Sequence, residues 1–219
     1  MKCNSVFCFG ILCRLLVLLL ACGCGASNDS LFLKQVEQVR QGVSESIDIR
    51  ETPISSGELL TELQGLELLE VLNLDHSAIS NEALASIGVL PALRSLSLTR
   101  TAIADDAIET IVAQFPNLTF LRLDETMISN NGLKPLPELA RLRELSLFRT
   151  RVSDPGCDSL SRIESLVRVS LDQTLVTDQG LLKLSRMPKL RRVSAWQTNV
   201  TDKAIEKFQK SSPEIKVTR

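Results

Sequence analysis

"LDQTLVTDQG", residues 171–180, sets two aspartates, two threonines and a glycine within ten positions. Either these residues form a small acidic site for a cation or phosphate, or they shape a turn. A site occurs once or twice in a chain, whereas a turn recurs wherever the same bend is made. Aligning the chain beneath this stretch gives "LSLTRTAIADDAI" from Leu96, "LRLDETMISNNGL" from Leu121, "LSLFRTRVSDPGC" from Leu145, "VSLDQTLVTDQGL" from Val169 and "VSAWQTNVTDKAI" from Val193. Looser copies begin at Ile47 and Leu72, so the successive steps are 25, 24, 25, 24, 24 and 24 residues. A fixed period of this length marks a stacked solenoid of seven units.

Each position of the unit has a physical reading. Leu145 and Leu147 alternate with Ser146 and Phe148, the period of a short strand with one dry face. Five residues after the first apolar position stands a hydroxyl: Thr52, Ser77, Thr101, Thr126, Thr150, Thr174 and Thr198. These are expected to form a hydrogen-bonding ladder between neighbouring loops. Asn81, Asp105, Asn130, Asp154, Asp178 and Asp202 precede the next apolar segment and are expected to cap helix starts. "VTDQG" is therefore a helix start rather than a metal or phosphate site. The column Leu59, Leu84, Ile108, Leu133, Cys157, Leu181 and Ile205, with a second apolar column three residues on, gives one helical face against the strand. Cys157 occupies a leucine position and reads as a core residue.

The pattern L-x-x-L-x-L-x-x-T-x-[IV]-[ST]-[DN]-x-G-L resembles the leucine-rich repeat, in a form similar to the repeats of F-box proteins. The resemblance implies an α/β solenoid with parallel strands on the concave face and helices on the convex face, generally serving protein recognition. No F-box-like segment precedes the repeats, so a ubiquitin-ligase role is not expected. The array spans residues 46–219, with "EIKVTR" as a candidate eighth strand, and residues 31–45 are expected to cap its first unit.

Ahead of the array, Lys2 and Arg14 flank apolar residues, and "LLVLLLA" at residues 15–21 is short of the roughly 20 apolar residues that cross a bilayer. Residues 1–21 therefore read as an export signal. "LLAC" at residues 19–22 resembles the lipobox of bacterial lipoproteins, which implies lipidation at Cys22; an ordinary secretory signal is the alternative. Residues 22–30 then form a flexible tether. Loss of residues 1–21 removes Lys2 and Arg14 and no acid, taking the formal charge from −1 to −3. Five of the six cysteines lie within the first 24 residues, so no disulfide framework can be built.

An enzyme needs a convergent acid, base or nucleophile. His76 is the only histidine, tyrosine is absent, and neither metal-ligand spacing nor a phosphate-binding loop occurs, so no catalysis, cofactor or metal is expected. Charge is uneven: from Glu45 to Asn81 Arg50 is the only base among eight acids, whereas Lys183 to Arg219 is rich in Lys and Arg. A basic end without interleaved stacking aromatics makes nucleic acid an unexpected partner. Among outward strand positions, Phe148 and Trp196 are large apolar groups where water should be, with Asp172 between them. Phe148, Asp172 and Trp196, with Arg122, Arg149 and Gln197, form the expected patch for a protein or peptide partner.

Overall fold

Three residues per unit are extended, and each triplet pairs in parallel with the triplet one period away. In the computed structural model, which describes residues 26–50 and 57–219, the strands are β1 (Ser46–Asp48), β2 (Val71–Asn73), β3 (Ser95–Ser97), β4 (Phe120–Arg122), β5 (Glu144–Ser146), β6 (Arg168–Ser170), β7 (Arg192–Ser194) and β8 (Lys216–Thr218). They form one sheet of eight strands in chain order. The register is kept throughout: Leu72, Leu96, Leu121, Leu145, Val169 and Val193 are successive partners. Because the central residue of each triplet and the second residue after it face the core, the apolar columns become continuous buried rows. Leu147, Leu123 and Leu171 have no exposed surface.

The opposite side of each unit is helical: α1 (Ala26–Arg40), α2 (Gly57–Leu60), α3 (Asn81–Ala85), α4 (Ala107–Gln114), α5 (Asp154–Leu160), α6 (Asp178–Lys183) and α7 (Asp202–Ser211). Short helices suffice because each presents one apolar stripe to the row beneath it. Leu84, Ile108, Cys157 and Leu181 are fully buried, while Leu59 and Ile205, near the ends, are only partly covered. The unit between β4 and β5 departs from the expected helix and has a 3-10 turn at Leu136–Glu138. Pro135 and Pro137 cause this, since proline lacks an N–H and disfavours the helical conformation in the residue before it. Leu133 and Leu136 are nevertheless fully buried, so packing survives the loss of regular structure.

At the N-terminal end, α1 lies against β1, with Phe32 and Val36 fully buried and Gln35 exchanging two hydrogen bonds with the Asp48 backbone. The helix begins at Ala26, so residues 26–30, assigned by sequence to the tether, continue the helix instead. Residues 1–25, including the export signal and Cys22, and residues 51–56, including Thr52, lie outside the described residues. Among the described residues no helix is long and apolar enough to cross a membrane.

Candidate functional site

Two columns of polar residues take roles different from those their sequence positions suggest. Among the described residues the hydroxyls of this column do not link neighbouring loops. Ser77, Thr101, Thr126, Thr150, Thr174 and Thr198 each donate to the carbonyl three residues earlier in the same unit, as Thr150 does to Leu147 at 2.8 Å. A hydroxyl next to its own bend reaches that carbonyl first, and burial makes the bond worth keeping.

The Asp/Asn column makes the links between units. Asp154 accepts from the Thr177 N–H at 2.8 Å and hydroxyl at 2.6 Å, and Asp178 accepts from the same two groups of Thr201 at 2.6 and 2.9 Å. Asp105 holds Ser129 in this way, and Asn130 exchanges bonds with Ser153. The expected capping role passes to the hydroxyl residue just before: Ser80, Thr177 and Thr201 accept from N–H groups in the first turns of α3, α6 and α7. An aspartate one position inside the helix points sideways, toward the next unit, and the spacing alone does not distinguish the two geometries.

These links explain the glycines of the motif. A Cβ on Gly156 would lie 2.7 Å from Asn130 Oδ1, and one on Gly132 would lie 2.5 Å from Asp105 Oδ1. The carboxylate or amide of one unit occupies the space that a side chain in the next would need.

A third column was not foreseen. His76, Arg100, Glu125, Arg149, Gln173 and Gln197 all have φ between 52° and 60°, the left-handed region, and none is glycine. Each of the first five donates its N–H to a carbonyl of the next unit, as Arg149 does to Asp172 at 3.0 Å, and these bonds hold the strained conformation. Their only sequence signal is negative: no β-branched residue stands at these positions.

On the outer face of the sheet the six expected patch residues do not share one fate. Trp196 is 48% exposed, and Phe148 is half-buried under the Arg149 guanidinium, 5.5 Å from the ring centroid. Arg149 also meets Glu125 at 3.4 Å, and Glu125 meets Arg100 at 3.0 Å. Gln197 is exposed and bonds Gln173 through their side-chain amides. Arg122 sits over the Phe120 ring at 5.3 Å and 3.6 Å from Asp124. Asp172 is turned to internal work: its Oδ1 accepts from the Ser194 hydroxyl at 2.7 Å and the Trp196 N–H at 2.6 Å. Asp124 does the same for Ser146 and Phe148, and Asp75 for Ser97 and Thr99. The two aromatics are thus each seated by an aspartate one unit earlier. Burial pushes the Asp124 carboxyl above its ordinary value, opposed by the Ser146 hydroxyl, the Phe148 N–H and Arg122.

The first strand positions, Phe120, Glu144, Arg168, Arg192 and Lys216, form a further outward row that the sequence reading passed over. It could have been found by stepping one residue back from each apolar start. Between this row and the small residues Ser146, Ser170 and Ser194 lies a hollow of about 170 Å³, and a second, more open depression of about 510 Å³ lies between Trp196, Gln197, Asp202 and Arg219. Cys157, on the buried face of α5, has its thiol pushed up to about 12 chiefly by desolvation, with Asp154 adding to the shift. Among the described residues no group of three or more His, Cys, Asp or Glu side chains is placed to hold a metal ion.

Among solved structures, the chain is similar to an internalin C2 from Listeria monocytogenes, with 19% sequence identity, a TM-score of 0.57 and coverage of 80% of each chain. This chain folds as a leucine-rich repeat solenoid. No family model matches the sequence, and no curated protein matches it. The solenoid turns its strands, and with them the aromatics and the basic row, toward the concave side.

Proposed function

We propose that this solenoid is a non-catalytic recognition scaffold that binds a protein or peptide on its concave face. The observation that carries the reading is Trp196, whose ring is half exposed on a strand face and whose backbone is fixed by Asp172. An aromatic held in place in this way loses little entropy when a partner covers it. Phe148, Arg149, Gln197 and Arg122 surround the same face, and Asp172 supports it from beneath. In this reading the chain is exported and anchored at the cell envelope through a lipid on Cys22, and its repeat subclass is that similar to F-box proteins.

Photocrosslinkers placed at residues 148 and 196 of the full chain, in its own membranes, test the binding face. A partner joined from these sites is the expected result, and in a separate pull-down with the chain free of crosslinker the same partner should be lost on Phe148→Ala with Trp196→Ala. Equal crosslinking from the helical face would overturn it. Mass spectrometry of the mature N-terminus tests the anchor: a lipidated Cys22 is expected, and cleavage elsewhere would remove that part of the proposal. The internal bonds of Asp172, Gln197 and Arg149 favour a second reading, a purely structural envelope lipoprotein without a dedicated ligand.

A further inference from the structure

The two ends of the array carry opposite charge. Residues 45–81 hold eight Asp or Glu and one Arg, whereas residues 183–219 hold ten Lys or Arg and three Asp or Glu. On the concave face the basic end is drawn into a line. Arg168, Arg192 and Lys216 are register partners on adjacent strands, so they project from the same edge of the sheet. Arg168 is held 3.1 Å from Glu144, while neither Arg192 nor Lys216 forms an ion pair among the described residues, and both are exposed.

Beside this line is the hollow of about 170 Å³, walled by Phe120 and floored by Ser146, Ser170 and Ser194. Small-molecule and cofactor sites run from about 300 to 1,000 Å³, so this hollow is sized for one side chain of a larger partner. Its floor is kept low by the aspartates: Ser146 and Ser194 turn their hydroxyls to Asp124 and Asp172, leaving no protruding group and few free donors. An apolar side chain is the occupant such a lining accepts without stranding a polar atom.

We propose that the C-terminal half of the concave face binds an acidic, extended protein segment, which seats one apolar side chain in the Phe120 hollow and lays its carboxylates on Arg192 and Lys216. The inference rests on the concave-face recognition proposed above and adds the chemistry of the partner. The dimensions agree: strands about 4.8 Å apart place β4 and β8 roughly 19 Å from each other, the span of about six extended residues. Guanidinium groups take carboxylates through paired hydrogen bonds, and a line of cations at the edge of a shallow trough attracts an acidic chain before contact. A nucleic acid fits less well, because Phe120 is the one aromatic lining the hollow and the Arg122 guanidinium already stacks on its ring.

Trp196, the single tryptophan, reports on this face by its own fluorescence. The full chain is titrated with a blocked octapeptide of glutamates around one central leucine, and in parallel with the leucine-to-serine peptide, an all-lysine peptide and oligothymidylate of equal charge. The glutamate–leucine peptide is expected to saturate the signal, the serine peptide to bind about tenfold more weakly, and the lysine peptide not at all. Arg192→Glu with Lys216→Glu should cost at least about tenfold with unchanged circular dichroism; calorimetry with Arg192→Ala and Lys216→Ala covers the case in which the charge reversals fail to fold. Oligothymidylate binding as tightly as the peptide, or a peptide affinity indifferent to these variants, would overturn the inference. If the peptide does not bind while crosslinking at residues 148 and 196 still captures a partner, the acidic-segment inference fails and concave-face recognition stands. If both fail, both are lost.

Discussion

Trp196 donates its backbone N–H to Asp172, at 2.6 Å and one unit back along the chain. The same carboxylate takes the Ser194 hydroxyl at 2.7 Å, so one side chain sets both an aromatic and the floor of the neighbouring hollow. Asp172→Ala would leave both donors without their acceptor, a loss of about 1–3 kcal/mol. Asp172→Asn keeps one acceptor oxygen and should lose less. Thermal melts followed by circular dichroism measure the two costs, and a shift in Trp196 emission in the alanine variant alone shows that the aromatic has moved.

Gly156→Ala should destabilise the array by about 2 kcal/mol or more, since the new Cβ would stand 2.7 Å from Asn130 Oδ1 and 2.9 Å from a Val152 methyl. The amide of Asn130 can only retreat by giving up its bond to the Ser153 N–H. Urea unfolding of this variant and of Gly65→Ala separates crowding from backbone strain, because nothing lies within 4 Å of a Cβ at Gly65, where φ is +77°.

The left-handed column predicts a second asymmetry. Arg149→Val places a β-branched side chain at φ 54° and should cost about 1–2 kcal/mol beyond the loss of its contacts, whereas Arg149→Gly should cost less at the backbone. Comparing the two variants by chemical denaturation checks this, and equal stability would mean that the conformation is not strained.

The solenoid was legible because its evidence is repeated. One leucine column such as Leu96, Leu121 and Leu145 fixes strand, face and register together, and an error in one copy is outvoted by the others. The polar columns were harder to read. A threonine beside a turn and an aspartate beside a helix each have two satisfactory partners, one within the unit and one in the next, and sequence spacing is the same for both. Thr150 chose the near carbonyl and Asp154 the far N–H, which only the packed geometry decides. The concave patch was half legible for a related reason. Phe148 and Trp196 stand out by residue type, but Asp172 looks identical whether it faces a partner or its own neighbour, and the row from Phe120 to Lys216 starts one residue before the motif.

Two titrating groups give pH-dependent expectations. The Asp124 pKa is raised in the folded state by burial, so its contribution favours folding below the unfolded value and is lost as pH rises through the folded one. Asp124→Asn removes that dependence while keeping an acceptor for Ser146 and Phe148. Its stability relative to the parent should therefore improve between about pH 3 and pH 7, measured as the difference in unfolding free energy.

The Cys157 thiol, pushed up to about 12, should resist alkylation at about pH 8 in the folded chain and react once unfolded, when its pKa falls to about 8.5. Mass spectrometry after a timed iodoacetamide pulse, with and without denaturant, reads both states.

The stacked units share one dry interior, and Leu147, fully buried at the centre of the array, is where that sharing is tested hardest. The measurement is the far-ultraviolet circular dichroism and thermal melt of Leu147→Asp beside the parent chain. Loss of helical signal and a markedly lower melting temperature are expected, because a charge would sit in the row between Leu123 and Leu171. A soluble variant with unchanged spectrum and melting temperature would contradict the shared interior.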